Sequence, residues 1–167
     1  MLDRIIAIKN ALNRLLEQVV IWAMGILVLD VVWQVLSRYI LNSPSSWSEE
    51  LAIILLIWVS LLGASVAFVR KSHLGVDFFV NKMSPGNRQR SELVVHLVVA
   101  FFAVSVLLFG GSRIVYLTLL YGQRTPALGI KMGLVYLALP LSGFFILIFS
   151  IEQLIEAVNR LKHGEAL

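Results

Sequence analysis

The sequence predicts an all-α integral membrane protein with four tilted transmembrane helices, and its composition and hydropathy support this fold class. Hydrophobic residues make up 59% and charged residues 14% of the 167 positions, whereas soluble proteins average about 45–50% apolar (glycine included) and about 25% charged. The mean hydropathy is +0.87. A soluble domain of this size could not bury so much apolar surface, because its surface-to-volume ratio is too high. Backbone groups in lipid need partners within the segment, so the spans are expected to be helices.

Four apolar stretches are long enough to cross a bilayer, which takes about 20 helical residues. They lie at about 15–39, 51–69, 93–121 and 132–151, within a single membrane domain of residues 1–167. The first and third exceed the required length, so we expect them to tilt or to project beyond the hydrocarbon core. The first stretch follows basic residues and thus imitates a secretory signal. It is too long for one and has no small-residue cleavage site, which favours an uncleaved first span.

The distribution of basic residues predicts the orientation of the chain. Ten of the 14 lysines and arginines fall in the N-terminal tail, the second connection and the C-terminal tail. By the positive-inside rule, both termini are expected in the cytoplasm of a bacterium, with the first and third connections in the periplasm. The same distribution argues against a nucleic-acid partner despite the net charge of +4, because the cations lie between apolar runs.

Local motifs predict how the spans begin and pack. Residues 46–49, Ser-Trp-Ser-Glu, form a candidate capping box that would start the second span. Within that span, small residues recur on one helix face, which allows close helix packing in lipid. This stripe consists of Ser60, Gly63, Ala64 and Ala67. Pro140 lies inside the fourth span and predicts a kink there. Residues 76–83 alternate loosely between apolar and polar and are expected to form a short amphipathic segment in the cytoplasmic interface, between spans two and three.

Polar residues at membrane depth are the first candidates for function, because lipid makes them costly. Asp30 in the first span could be an ion or proton site, or simply a carboxylate hydrogen-bonded to another helix or to a partner subunit. The second interpretation is favoured, since no other acid is expected at the same depth. Arg113 follows two glycines in the third span and could extend to the interface or pair across the bundle.

Arg38, Glu49 and Glu50 flank the first outer turn. They could form a docking surface for a soluble partner, or a local ion pair that ties span one to span two, and the latter is favoured.

The residue types argue against an enzyme or a cofactor protein. The chain has no cysteine, so a thiolate metal site or a thiol nucleophile is impossible. Its three histidines are His73, His96 and His163. No two of them share a helix face or are firmly placed at one depth, as a membrane bis-histidine haem would require. We therefore expect no enzyme activity and no cofactor in this chain.

An ordered series of motifs in the first half of the chain resembles the small membrane subunit, DctQ-like, of tripartite ATP-independent periplasmic (TRAP) transporters. The series reads Leu36-Ser37-Arg38-Tyr39-Ile40-Leu41-Asn42, Trp47-Ser48-Glu49-Glu50-Leu51-Ala52, Trp58, Gly63-Ala64, Ala67, Arg70, His73 and Val76-Asp77. A later stretch, Thr125-Pro126-Ala127-Leu128 followed by Tyr136-Leu137-Ala138-Leu139-Pro140, is similar to the same family near its fourth span. Each piece alone is weak, but the order and spacing together are specific.

The resemblance implies a function that composition alone could not supply. In this family a soluble periplasmic protein captures an organic acid, and a large membrane subunit holds the substrate and sodium sites and performs the elevator motion. The small subunit packs beside it in the bacterial inner membrane as a scaffold, among lipids, and helps to receive the binding protein. The resemblance implies that the outer ends of spans one and two are organised by Arg38, Trp47, Glu49 and Glu50. It implies that their inner ends are organised by Arg70, His73 and Asp77.

Two alternatives remain open on the sequence. The chain could be a self-sufficient small homodimeric exporter that uses Asp30 as its coupling carboxylate, or a haem-bearing electron-transfer subunit. The transported solute is also open, with sialic acid and C4-dicarboxylates among the candidates, because selectivity would reside in other chains.

Overall fold

The computed structural model describes residues 2–69 and 85–163, and this part of the chain is almost entirely helical. The helices are α1 (Leu2–Tyr39), α2 (Ser46–Val69), α3 (Pro85–Phe102), a π-helical segment (Ala103–Gly110), α4 (Gly111–Leu120), α5 (Met132–Tyr136) and α6 (Ala138–His163). α3, the π segment and α4 together form the third span, and α5 with α6 forms the fourth.

The predicted all-helical fold with four potential membrane spans is confirmed. Four helical stretches are long and apolar enough to cross a bilayer: Ala11–Tyr39, Ser46–Phe68, Leu93–Leu120 and Met132–Ile155. α1 has 38 residues, so it is about 57 Å long at 1.5 Å per residue, against a hydrocarbon core of about 30 Å. The excess length agrees with the expectation that the first span tilts or projects. The placement of the termini stays a prediction.

The spans pack in the order first, second, fourth, third. α1 lies along α2, α2 lies along α6, and α6 lies along both α3 and the π segment. One buried apolar cluster joins α1, α2 and α6, and a second joins the π segment to α6. The first consists of Leu16, Leu62, Phe68, Phe145 and Phe149, and the second of Ala103, Leu107 and Ile146. The fourth span is therefore the centre of the bundle, and the first span is held mainly by the second.

Glycines allow the third and fourth spans to approach closely. A Cβ atom added at Gly143 would lie 2.7 Å from Cβ of Leu107 in the π segment. One added at Gly111 would lie 2.8 Å from Cβ of Leu139 and 3.1 Å from Cδ of Pro140. All three distances are shorter than ordinary van der Waals contact, so at both positions only glycine fits without a shift of the helices. Small residues play this part in membrane bundles because lipid gives no hydrophobic drive for association.

Buried hydroxyl and amide groups add hydrogen bonds between the spans. Ser65 Oγ of α2 donates to the carbonyl of Ser142 at 3.3 Å, and Ser150 Oγ of α6 donates to the carbonyl of His96 at 2.9 Å. Gln153 Nε2 donates to the carbonyl of Phe68 at 3.2 Å. Each bond connects the fourth span to a neighbour, which reinforces its central position.

The fourth span is interrupted near Pro140. α5 ends at Tyr136 and α6 begins at Ala138. Proline has no N–H with which to bond the carbonyl of Tyr136 four residues earlier. The interruption thus lies at the turn before the proline, which occupies the first turn of α6, where a missing N–H costs least.

The beginning of α2 differs from the predicted capping box. The amide of Glu49 donates to the carbonyl of Ser45 at 3.4 Å, and Ser48 Oγ donates to the same carbonyl at 3.0 Å. Within the described residues, the hydroxyl of Ser46 makes no hydrogen bond to Glu49. The predicted capping box is therefore wrong: the amide of Glu49 bonds a backbone carbonyl, and the hydroxyl of the buried Ser48 donates to that carbonyl and does not accept from an amide.

The close contact at Gly143 generates a stability prediction. Gly143→Ala is expected to destabilise the protein by about 1–3 kcal/mol, the usual cost of overpacking, because the new methyl group meets Leu107. Gly25→Ala is the matched control, since a Cβ atom at Gly25 meets no heavy atom within 4 Å. Thermal or chemical unfolding of the detergent-solubilised variants measures the difference. Equal stability of the two variants would contradict the packing described above.

Candidate functional site

The candidate site lies at one end of the bundle, where α1, α2 and the connection at residues 121–131 meet. By the predicted orientation this end faces the periplasm. We call it the outer end. It contains four of the residues singled out from the sequence, namely Arg38, Trp47, Glu49 and Glu50.

Glu50 bonds the connection at residues 121–131 directly to α2. Its Oε1 accepts from the backbone N–H of Ala127 at 2.7 Å, and its Oε2 accepts from that of Leu128 at 2.8 Å. These are short, charge-assisted hydrogen bonds, the strong class of protein hydrogen bond. The carboxylate therefore fastens the third connection to the beginning of the second span.

The connection at residues 121–131 is itself ordered by internal hydrogen bonds. The N–H of Thr125 donates to the carbonyl of Ile130 at 2.9 Å, and the N–H of Ile130 donates to Thr125 Oγ1 at 3.1 Å. Arg124 donates through its guanidinium to the carbonyl of Gly129 at 3.0 Å. Gly129 has a φ of +66°, a conformation that glycine adopts without steric cost. The turn thus presents two adjacent amides to Glu50.

Arg38, Trp47 and Glu49 lie beside the first outer turn, and no described side-chain hydrogen bond joins them to the connection at residues 121–131. All three side chains are exposed. Within residues 2–69 and 85–163, Arg38 forms no ion pair with Glu49 or with Glu50. The expected local ion pair between spans one and two is therefore wrong for the described structure. What ties the outer end together is Glu50 and the loop amides.

Between the outer ends of α1 and α2 is a cleft of about 250 Å³. We call it the outer cleft; it is lined by Gln34, Arg38, Pro44, Ser45, Ser46 and Glu49. Two buried polar atoms here, Gln34 Nε2 and Ser45 Oγ, have no hydrogen-bond partner among the described residues. Neither residue was singled out from the sequence, because a glutamine or serine near a turn gives no distinctive pattern.

Asp30 lies on α1 about one helical turn before Gln34 of the outer cleft. Its side chain is 7% exposed, and its Oδ2 has no hydrogen-bond partner in the described part of the chain. The expected hydrogen bond to another helix is thus not present at this oxygen. Arg113 of α4 is exposed, so the two intramembrane charges do not pair in a common interior.

The small-residue stripe of α2 faces mostly outward. Ser60, Ala64 and Ala67 are exposed, and Gly63 is half-buried. A Cβ atom at Gly63 would lie 3.9 Å from Cγ1 of Val20, an ordinary contact. The face that α2 buries within this chain is instead formed by Leu62, Ser65 and Phe68. The stripe remains available to another chain or to lipid.

Three predicted residues at the inner end cannot be placed. Arg70, His73 and Asp77 lie outside the described residues, as does the amphipathic segment expected at residues 76–83.

Comparison with known proteins identifies similar chains. Residues 27–160 match the family described as tripartite ATP-independent periplasmic transporters, DctQ component. The chain is 30% identical to the sialic acid TRAP transporter small permease protein SiaQ of Vibrio cholerae over 159 residues, covering 92% of this chain and 87% of that one. It is 35% identical over 96 residues to the sialic acid TRAP transporter permease protein SiaT of Haemophilus influenzae, covering 55% of this chain and 15% of that one. It is 28% identical over 97 residues to the C4-dicarboxylate TRAP transporter small permease protein DctQ of Rhodobacter capsulatus, covering 58% and 42%.

The bonds made by Glu50 generate a prediction about the third connection. Glu50→Ala should release the loop, so that the amides of Ala127 and Leu128 exchange with solvent several-fold faster. Glu49→Ala is the matched control, because no hydrogen bond joins the neighbouring carboxylate to the loop in the described part of the chain. Hydrogen–deuterium exchange followed by mass spectrometry measures both variants. Protection of these two amides that survives in the Glu50 variant would show that the loop is held by other contacts.

Proposed function

Because the chain belongs to the DctQ component family of tripartite ATP-independent periplasmic transporters, we propose that it works as a scaffold for a large sodium-coupled membrane subunit. The substrate would be an organic acid of the sialic acid or C4-dicarboxylate class, delivered by a periplasmic binding protein. The observation that carries this proposal is the family match over residues 27–160. The elevator motion and the sodium and substrate sites belong, in this proposal, to the large subunit.

The exposed apolar surface of α1 and α2 supports the proposal that the chain packs beside another membrane protein. α1 packs mainly on α2, and most of its large apolar side chains are exposed in the isolated chain. Leu29 and Trp22 are 72% and 69% exposed. The exposed small-residue stripe of α2, with Ala64 and Ala67, is a surface on which a partner helix could pack closely. Lipid would cover the apolar surface that the partner does not contact.

The comparison with SiaT supports a large partner. The chain matches only 15% of that permease, which is therefore a much longer protein containing a segment similar to this one. The isethionate TRAP transporter permease protein DctMQ of Oleidesulfovibrio alaskensis gives a similar picture, since the match covers 70% of this chain and 19% of that one. A segment fused to a larger permease in one relative is expected to bind a separate large permease here.

The proposed location is the inner membrane of a bacterium, with both termini in the cytoplasm. The distribution of lysine and arginine supports this orientation. It places the outer end, with Glu50 and the loop at residues 121–131, in the periplasm. The loop and the first turn would then be accessible to a soluble binding protein.

A second candidate function, a homodimeric exporter that uses Asp30, is favoured by one observation. Asp30 is buried and one of its carboxylate oxygens lacks a partner, as an intramembrane coupling residue could be. The family match argues for the scaffold instead, and the two candidates predict opposite results for the same substitution.

The proposal predicts that the chain co-purifies with a large multi-span permease encoded beside it, and that Asp30→Asn preserves solute uptake by that complex. Asparagine keeps the shape of the side chain and removes its ability to carry a proton or to pair with a cation. Uptake of labelled organic acid into proteoliposomes, with the wild-type complex as the reference, is the measurement. Purification without any large partner would refute the scaffold, and loss of uptake in a correctly assembled Asp30→Asn complex would show that Asp30 takes part in transport, which the scaffold does not predict.

A further inference from the structure

The outer cleft is built from groups that the proposed scaffold role does not use. It lies between the end of α1 and the beginning of α2 and has a volume of about 250 Å³. Its walls combine a guanidinium, an amide, two hydroxyls and a carboxylate, from Arg38, Gln34, Ser45, Ser46 and Glu49. A cleft with several converging polar groups is a typical place for a specific ligand group.

The polar groups of the cleft that lack hydrogen-bond partners are mainly donors. Gln34 Nε2 is buried without a partner among the described residues, and an amide nitrogen can only donate. Ser45 Oγ is also buried without a partner and can donate its proton. Arg38 adds an exposed guanidinium that no described carboxylate neutralises. A buried donor left unpaired costs free energy, so an acceptor that enters the cleft is favoured.

The walls of the cleft are held in place before any ligand arrives. At the end of α1, the N–H of Ser43 donates to the carbonyl of Ser37 at 3.1 Å. At the beginning of α2, Ser48 Oγ donates to the carbonyl of Ser45. In the same first turns of α2, Glu50 bonds the loop at residues 121–131. Such preorganisation lowers the entropic cost of binding.

We propose that the outer cleft binds the carboxylate of an aspartate or glutamate carried on a surface loop of a soluble periplasmic protein. The carboxylate accepts from the guanidinium of Arg38, from Gln34 Nε2 and from Ser45 Oγ. Glu49, on the rim, accepts a hydrogen bond from a backbone N–H of the same loop. This bond gives the acidic residue a role beside a site that binds an anion. This inference rests on the proposed function, in which the soluble protein is the substrate-binding protein of the transporter.

Other occupants fit the cleft less well. A lysine or arginine of a partner would leave Gln34 Nε2 without an acceptor and would face the charge of Arg38. A free inorganic anion would satisfy the donors, but it would place a second negative charge beside Glu49 without the backbone N–H that a peptide loop supplies. An acidic residue within a peptide loop supplies both a carboxylate and a backbone donor, so it matches both sides of the cleft.

The test measures binding between the purified complex of this chain with its large subunit and the binding protein encoded beside them. The complex is held in nanodiscs, and the affinity is measured by biolayer interferometry. Arg38→Ala is expected to raise the dissociation constant roughly ten- to hundredfold, the effect of losing a charge-assisted hydrogen bond. Gln34→Leu, which changes no charge, is expected to raise it by a smaller factor. The dependence of affinity on salt should be weaker for Arg38→Ala than for the wild type.

Lys131→Ala is the matched control, because it removes one exposed cation from the outer end without touching the cleft. It should change the dissociation constant by about twofold or less, as expected for an exposed charge. Reversing the charge in Arg38→Glu should abolish binding, and a lysine in place of one acidic residue of the binding protein should restore it. Restoration separates a direct contact from a merely structural role of Arg38.

Two results would overturn the proposal. One is that Arg38→Ala and Gln34→Leu bind the binding protein as tightly as Lys131→Ala does. The other is that native mass spectrometry finds a phospholipid which only the Arg38 variant loses, with binding of the soluble protein unchanged. Co-purification with the large subunit is checked in the same preparations, so failure of the scaffold assignment is seen separately as loss of that subunit.

Discussion

The structure depends on close contact between helices in the lipid bilayer, where no hydrophobic effect drives apolar surfaces together. Lipid chains solvate leucine and phenylalanine well, so association must come from packing at short range and from hydrogen bonds between helices. The fourth span supplies both. Gly143 admits Leu107 of the third span, and hydroxyls at Ser65 and Ser150 bond across to neighbouring backbones. Without these contacts, four apolar helices would have little to hold them in one arrangement.

The same constraint bears on the helix faces that this chain leaves unpacked. Its interior bonds centre on α6, while α1 has one principal neighbour and the small-residue stripe of α2 faces outward. Surfaces of this kind suit a subunit that is completed by another membrane chain. At the outer end the organisation changes, because charged hydrogen bonds from Glu50 to the loop replace helix packing. The loop at residues 121–131 is thereby bonded to a bundle whose spans are joined through α6.

The sequence predicted those features that depend on composition and on local spacing. The four spans followed from runs of apolar residues, and Pro140 predicted a kink in the fourth span, where the structure has a break between α5 and α6. The role of Glu50 was only partly visible: its position at the outer turn was clear, but its partners lie 77 and 78 residues away at backbone amides, which carry no side-chain signal. Gln34 and Ser45 could not be predicted as site residues, because they come together only in a cleft between two helices. The expected local ion pair of Arg38 with Glu49 or Glu50 is absent from the described residues, because adjacency across a turn does not fix the direction of side chains.

The most direct test of the account is sodium-driven uptake of labelled organic acid into proteoliposomes that contain this chain alone, the large subunit alone, or both together with the binding protein. If the chain is a scaffold, vesicles with this chain alone take up nothing above the protein-free background, and full uptake needs both membrane subunits. Uptake or export by the chain alone, driven by a cation gradient, would contradict the account.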